Sequence, residues 1–181
     1  MSFNPEVHHR RSIRLRDYDY SSAGAYFVTV CTRNRECLLG EVVEGEMVPN
    51  DAGRWVQTAW DALPDRFAGL ELGDFVVMPN HIHGIIVLVG AGLALPQRGA
   101  ASRGAASSAP TLGEVVRAFK SISALKVNRA LSRSGSFWQR NYYEHVIRDM
   151  GEWERIQAYI IANPANWADD PEYPDHDVGG P

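Results

Sequence analysis

Residues 70–89, LELGDFVVMPNHIHGIIVLV, decide the fold of this chain. Two apolar stretches, 70–78 and 81–89, each have the length and composition of a β-strand, and Pro79-Asn80 between them is a tight-turn sequence. Because side chains alternate faces along a strand, His81 and His83 share one face of the sheet while Ile82 points to the other. The stretch therefore predicts a hairpin that carries two imidazoles on one side.

The paired histidines have two interpretations. Two imidazoles on one strand face form a bidentate platform for a metal ion, whereas a bare His-x-His pair is also common as partly exposed structural histidines. Here the pair lies between the apolar runs FVV (75–77) and IIVLV (85–89). Polar rings are costly in such a place unless they have partners. The context therefore favours a metal site.

Strand and helix patterns alternate along the rest of the chain. The expected elements, in order, are a strand at 25–33, a hairpin within 37–48, a helix at 50–63, the strands 70–78 and 81–89, a helix at 111–131, an extended aromatic segment at 136–147 and a last helix at 150–163. Thr111 and Glu114 form a capping box, and Pro164 ends the last helix. The order β-α-β-β-α-β predicts an α+β, ferredoxin-like antiparallel sheet with an additional C-terminal helix.

Composition and length indicate one globular domain. The chain has 181 residues, of which 45% are hydrophobic. No apolar run reaches the roughly 20 residues that span a bilayer, and no secretion leader is apparent. Cys31 falls within a predicted strand, as in a reduced, cytoplasmic protein. We expect a domain over residues 1–167, with a basic arm at 1–20 and a flexible loop at 90–110, followed by an acidic, disordered tail at 168–181.

The net charge of −4 is unevenly distributed. Residues 98–148 carry nine basic side chains against two acidic ones, and the first 20 residues contain a second basic cluster. Such local charge is enough to bind phosphates, since salt screens the interaction beyond about 10 Å. A solvated helix face and a basic arm are the alternative. The candidate nucleic-acid-binding residues are Arg14, Arg16, Lys120, Arg140 and Arg148.

Tyr159 and Asn163 lie four residues apart in the last predicted helix and therefore share a helix face. Together they can present a phenol and an amide oxygen to one place, and an amide oxygen suits a hard cation such as Mg²⁺ or Mn²⁺. A packed tyrosine and a capping asparagine are the alternative. The aromatic segment FWQRNYYEH, residues 137–145, likewise suits either stacking on single-stranded nucleic acid or a core strand.

Four motifs together resemble a known family. These are YFVTVCTRNR (26–35), VVMPNHIHGIIVL (76–88), FWQRNYYEHVIRD (137–149) and ERIQAYIIANPANW (154–167). In this order they resemble the REP-associated tyrosine transposases, a branch of the single-tyrosine HUH transposases, over about residues 12–167. The resemblance implies the HUH nuclease fold, with His81, His83 and Asn163 as ligands of Mg²⁺ or Mn²⁺. It also implies that Tyr159 is the nucleophile.

Some positions depart from the family pattern or have rivals. Certain HUH relatives use glutamine as the third ligand, where this chain has Asn163. Tyr142 and Tyr143 are rival nucleophiles in the aromatic segment, and His145 matches a recurrent family position without an assigned role.

The resemblance implies a metal-dependent endonuclease and strand transferase, acting in DNA transposition. Its substrate would be single-stranded or hairpin DNA with hairpin-forming repeats, and its intermediate a 5′-phosphotyrosine. Some relatives act as monomers and others as homodimers. A non-catalytic single-stranded nucleic-acid-binding module on the same topology is the first alternative, and a zinc hydrolase is the second.

Overall fold

The computed structural model describes residues 24–89 and 110–174. Within these ranges the elements are β1 (Gly24–Cys31), β2 (Gly40–Val43), β3 (Glu46–Pro49), α1 (Asp51–Asp61), β4 (Leu70–Val77), β5 (His81–Leu88), α2 (Leu112–Ala130), β6 (Tyr143–Ile147) and α3 (Met150–Ala162). Short 3₁₀ helices cover Arg33–Arg35 and Pro164–Asp169. The basic arm with Arg14 and Arg16 lies outside the described residues, as does nearly all of the loop predicted at 90–110.

The central sheet has four strands in the order β4-β5-β1-β6, and every neighbouring pair is antiparallel. Strands β2 and β3 form a separate hairpin between β1 and α1. With that hairpin set aside, the chain runs β-α-β-β-α-β and then into α3. The ferredoxin-like α+β fold with an additional C-terminal helix is therefore confirmed.

Helices α1 and α2 cover one face of the sheet and enclose the main core. Trp60 of α1 is central to this core, and its ring stacks on Phe75 at 4.4 Å and meets Phe119 edge-on at 5.4 Å. The indole lies directly over Gly84 of β5. A Cβ at position 84 would come within 2.5 Å of the Trp60 ring, so glycine is required there for the close approach.

Helix α3 packs on the opposite face over a much smaller apolar cluster, formed by Phe27, Ile85, Ile147 and Ile160. The remaining inward side chains of β1 and β5 on this face include Thr29, His81 and His83, all of them buried. Among the described residues, no helix is long and apolar enough to cross a membrane.

The local signals in the sequence explain most element boundaries. Asn50 Oδ1 accepts a hydrogen bond from Gly53 N and caps α1, and the predicted capping box of Thr111 and Glu114 opens α2. Asp149 caps α3 through the backbone N–H of Glu152.

The aromatic segment predicted as extended over 136–147 forms a strand only at Tyr143–Ile147. Its first part is fastened to α2, since Lys120 Nζ donates to the carbonyls of Gln139 at 2.6 Å and Arg140 at 2.9 Å. Before Tyr143, the described pairing of this segment with the region after β1 is an isolated bridge between Thr32 and Trp138.

Candidate active site

The two histidines of β5 lie side by side on the α3 face, with side chains that are 0% and 3% exposed. His81 Nε2 is 2.9 Å from His83 Nε2. The other ring nitrogen of each histidine is held from behind: Asn80 Oδ1 lies 2.8 Å from His81 Nδ1, and Thr29 Oγ1 lies 2.8 Å from His83 Nδ1. Metal-binding histidines are oriented by this kind of second contact. Both Nε2 atoms thus face one common point.

Asp170 brings a carboxylate to the same point. Its Oδ2 atom is 3.8 Å from His83 Nε2, and the ligand atoms of His81, His83 and Asp170 all lie within 4.8 Å of one another. Asp170 follows the 3₁₀ helix Pro164–Asp169 and is only 4% exposed. Sequence reasoning did not find this residue.

Residues 168–174, at the beginning of the segment predicted as an acidic tail, make specific contacts. Glu172 attaches this segment to Asn80, just before β5, and to Arg35, shortly after β1. The carbonyl of Glu172 accepts a hydrogen bond from Asn80 Nδ2 at 2.7 Å, and its carboxylate pairs with Arg35 Nε at 2.9 Å. Glu172 thus has specific partners, although the acidic composition of this stretch suggested disorder. Residues 175–181 lie outside the described part of the chain.

Tyr159 and Asn163 reach the site from the C-terminal end of α3. The Tyr159 hydroxyl lies 3.2 Å from His83 Nε2 and donates to Asp170 Oδ2 over 3.2 Å. Asn163 Nδ2 donates to the same oxygen over 2.9 Å. Asn163 Oδ1 is buried and has no hydrogen-bond partner within the described ranges. The shared helix face predicted for these two residues is therefore directed at the histidine pair.

The geometry of the donor atoms fits a divalent cation. With ligand bonds of about 2.1 Å, two donors at right angles lie about 3.0 Å apart, close to the 2.9 Å between the two Nε2 atoms. The buried and unpartnered Asn163 Oδ1 adds an oxygen that such an ion would satisfy. Imidazole favours transition metals, whereas oxygen donors also suit Mg²⁺ and Mn²⁺.

The protonation states also suit metal binding. Burial, reinforced by the neighbouring His83, lowers the pKa of His81 to about 3, so this ring is neutral with a free lone pair. Burial opposes the charge of Asp170, but hydrogen bonds from His83, Glu172 N and Asn163 outweigh it and hold its pKa below the usual range. Burial and the Asp170 charge raise the pKa of Tyr159. The site thus combines the neutral imidazole of His81 with a carboxylate and a phenol.

The rival tyrosines line a cavity together with Tyr159, but they and His145 make other contacts. Tyr143 is in β6, with its ring 6.2 Å from that of Phe27, and Tyr142 packs partly against the main core. His145 Nε2 is 2.6 Å from Glu152 Oε1 and so joins β6 to the first turn of α3. Of the three candidate nucleophiles, the structure places the hydroxyl of Tyr159 against the histidine pair.

The basic candidates that the structure describes lie around α2 and β6. Arg117, Lys120 and Arg140 line a cavity of about 440 Å³. Lys120 also hydrogen-bonds to backbone carbonyls, which gives it a structural task, while Arg140 is exposed. Arg148 is exposed, and its backbone N–H donates to Glu152.

Two comparisons with known proteins bear on this arrangement. The chain is 41% identical over 185 residues to an uncharacterized protein of Haemophilus influenzae, with 96% of this chain and 98% of that protein covered. It is similar in structure to a REP-associated tyrosine transposase bound to a REP hairpin, with a TM-score of 0.57 and 22% identity over 87% of this chain and 79% of the other. No family model matches. The chain therefore belongs to one family with the Haemophilus protein, and its fold is that of a REP-associated tyrosine transposase, as its four motifs indicate.

Proposed function

We propose that this protein is a metal-dependent, single-strand DNA endonuclease and strand transferase with Tyr159 as its nucleophile. One observation carries the proposal. The Tyr159 hydroxyl lies 3.2 Å from both His83 Nε2 and Asp170 Oδ2, within the group of atoms that fits a cation. A purely structural tyrosine has no need of two buried imidazoles and a buried carboxylate around its hydroxyl.

His81, His83, Asp170 and Asn163 are the residues that would hold the cation. A bound divalent ion supplies Lewis-acid polarisation of a phosphate oxygen and offsets negative charge at the reacting phosphorus. The positive charge of the ion would offset the negative charge of Asp170, which raises the pKa of Tyr159 and so favours the protonated phenol.

The chemistry of the chain itself begins at Tyr159. Its oxygen attacks phosphorus, a new P–O bond forms, and the bond from phosphorus to the 3′ oxygen breaks. The products are a 5′-phosphotyrosine and a 3′-hydroxyl. Asp170, which accepts the hydrogen bond of the phenol, would take the phenol proton during attack, and the leaving 3′ oxygen would take up one proton to become the hydroxyl. Attack by a different 3′-hydroxyl reverses the step, joins two strands and restores Tyr159.

Hairpin or single-stranded DNA is the proposed substrate. The similar transposase was solved with a REP hairpin. In this chain, Arg117, Lys120 and Arg140 line a cavity that shares Tyr142 with the cavity at Tyr159, and Arg148 is exposed just after β6. Together with Arg14 and Arg16, these residues supply positive charge for phosphate contacts, and a DNA-processing role in transposition fits a cytoplasmic protein.

A covalent-adduct assay tests the proposal. Hairpin oligonucleotides with single-stranded flanks, labelled at the 3′ end, are incubated with protein and Mn²⁺ and run on a denaturing gel. The label should migrate with the wild-type protein, because the 5′-phosphotyrosine retains the 3′ fragment. Chelation by EDTA and the substitution Tyr159→Phe should each abolish this band, while Tyr143→Phe should keep it.

The opposite result favours the alternative function. DNA binding that is insensitive to EDTA and never yields an adduct is the behaviour of a non-catalytic single-stranded nucleic-acid-binding module. That outcome would contradict the proposal.

A further inference from the structure

Helix α3 carries Tyr159, yet little of its own surface is buried. Ile160 is the one residue of α3 that is almost completely buried, and Trp153 and Ile156 pack half-buried against the small apolar cluster below the helix. Apolar contact is non-directional, so it attaches a helix without fixing its tilt or rotation. The direction from which Tyr159 reaches the site therefore depends mainly on directional contacts.

Such contacts converge on Glu152 in the first turn of α3. Its Oε1 atom lies 2.6 Å from His145 Nε2 of β6, and its Oε2 atom accepts a hydrogen bond from Arg148 N at 2.7 Å. The hydrogen bond from Arg148, followed by that from His145, holds the pKa of Glu152 below its usual range, so the carboxylate is charged at neutral pH. Hydrogen bonds to an ionised group are about twice as strong as neutral ones. Glu152 thus joins the start of α3 to β6 and to the turn that follows it.

The pair of His145 and Glu152 lies beside an aromatic contact that reaches the site. His145 is directly opposite Phe27 in the register of β6 and β1, so the two side chains share the α3 face. The Phe27 ring stacks on the His83 ring at 5.3 Å and meets the Tyr159 ring edge-on at 6.1 Å. His145 does not line the cavity at Tyr159, and its Nε2 atom is engaged by Glu152. Any influence of His145 on Tyr159 therefore passes through α3 and Phe27.

A second directional contact holds α3 at the other edge of the sheet. Gln157 Nε2 donates to Asp74 Oδ2 at 2.8 Å, at a place where the register of β4 is irregular. Strands β6 and β4 are the two edge strands of the sheet. Because Gln157 lies five residues after Glu152, the two contacts are about 8 Å apart along the helix axis. A helix held at two points on opposite edges keeps one tilt, and with it one position for Tyr159.

We propose that His145 and Glu152 form a positioning pair, which holds the start of α3 on β6 and thereby sets the approach of Tyr159 to the phosphate. Neither side chain takes part in making or breaking a bond. The inference rests on the proposed function and adds a task for His145 within it. A reacting group that is displaced by about 1 Å can lose about 100-fold in rate, which sets the scale of the expected effect.

Single-turnover kinetics of adduct formation test the pair, with hairpin DNA and Mn²⁺ in excess and each rate expressed per folded molecule from urea denaturation. His145→Leu should lower the rate at saturating DNA by about 10- to 100-fold, while the DNA concentration that gives half the maximal rate stays unchanged. His145→Gln should restore most of the rate, because the glutamine amide can still donate to Glu152. A merely structural role would lower the folded fraction and leave the rate per folded molecule unchanged.

A double-mutant cycle shows whether the two side chains act as one unit. Glu152→Ala should lower the rate as His145→Leu does, and the double variant should lose no more than the larger single loss. Glu154→Ala, which removes an exposed carboxylate two residues further along α3, is the matched control and should keep the wild-type rate. If His145→Leu does not fold, Glu152→Ala against Glu154→Ala carries the same comparison.

The outcomes separate this inference from the proposed function. A wild-type rate in His145→Leu, or losses that multiply in the double variant, would overturn the positioning pair and leave the nuclease function standing. A rise in the half-saturating DNA concentration, or failure of His145→Gln to restore the rate, would mean that His145 has another task and would equally overturn it. Absence of any wild-type adduct contradicts the proposed function and this inference with it.

Discussion

The two faces of the central sheet differ in what their side chains do. Along β5, Ile82 and Ile86 point to α1 and α2, whereas His81 and His83 point to α3, and all four are almost completely buried. Equal burial thus serves two purposes. One face removes apolar surface from water, and the other encloses polar groups whose nitrogens face each other.

The energetics of the two faces also differ. A fully buried isoleucine contributes about 1.5–3 kcal/mol. A buried imidazole costs stability unless its nitrogens have partners, and here Asn80 and Thr29 supply one partner each. The remaining nitrogens face each other at 2.9 Å. The α3 face is therefore arranged for a ligand, and the α1/α2 face for stability.

The largest expected effect of a substitution is on the α3 face. His83→Ala should reduce adduct formation to background, because one of the two imidazole donors beside Tyr159 is lost. It should change the free energy of unfolding less than a core substitution does. Calorimetric titration with Mn²⁺ and the adduct gel measure the first effect, and urea denaturation measures the second. Normal adduct yield in this variant would remove His83 from the chemistry.

Three residues further along the same strand, Ile86→Ala should produce the opposite pattern. We expect a loss of about 2–5 kcal/mol in the free energy of unfolding, since a cavity is left in the main core. Adduct yield per folded molecule should remain near that of the wild type. Ile86→Val, with an expected loss of about 0.5–1.5 kcal/mol, keeps the test usable if the first variant is too unstable. A larger loss for His83→Ala than for Ile86→Ala would contradict the division between the faces.

Acid should weaken the metal-free protein through His81. The folded pKa of about 3 lies below the ordinary 6.5, so the unfolded chain binds more protons between these values. The contribution of neutral His81 to the free energy of unfolding is therefore fully present above about pH 6.5 and is lost as the pH falls towards 3. The loss is about 2 kcal/mol over the first two pH units. Urea denaturation between pH 6.5 and 4.5 measures this slope. His81→Gln should flatten it, and an unchanged slope would show that His81 is not responsible.

A smaller effect on metal binding is expected from Thr29, which contacts the Nδ1 atom of His83. Thr29→Val keeps the shape of the side chain but removes the hydroxyl at His83 Nδ1, so Mn²⁺ affinity should fall by about 10- to 100-fold. Thr58→Val, an exposed threonine on α1, is the matched control. Equal affinities in the two variants, measured by calorimetry, would mean that Thr29 does not orient the ring.

The fold and all but one of the candidate site residues are predictable from local patterns. Strand alternation places His81 and His83 on one face, and the spacing of four residues aligns Tyr159 with Asn163. Both rules need only a few neighbouring residues. The topology follows from the order of elements, because sequential strands and helices have few ways to pack.

Asp170 could not be predicted, because its position depends on contacts distant in sequence. It lies in an acidic stretch that contains proline and lacks periodicity, a composition typical of disorder. Specific contacts hold this stretch at the site, since Asn80, Arg35 and Cys31 bind Glu172 while Tyr159 and Asn163 donate to Asp170. The contact of Lys120 in α2 with the Gln139 carbonyl before β6 likewise joins residues distant in sequence.

The central claim is that the α3 face performs chemistry through Tyr159. The most direct measurement is tandem mass spectrometry of the peptide that remains attached to a nucleotide after the adduct is digested with protease and nuclease. The account predicts a nucleotide phosphate on Tyr159, in the peptide that also contains Asn163, and only when Mn²⁺ is present. A modification on Tyr142 or Tyr143 would contradict it and place the nucleophile on β6 or the segment before it.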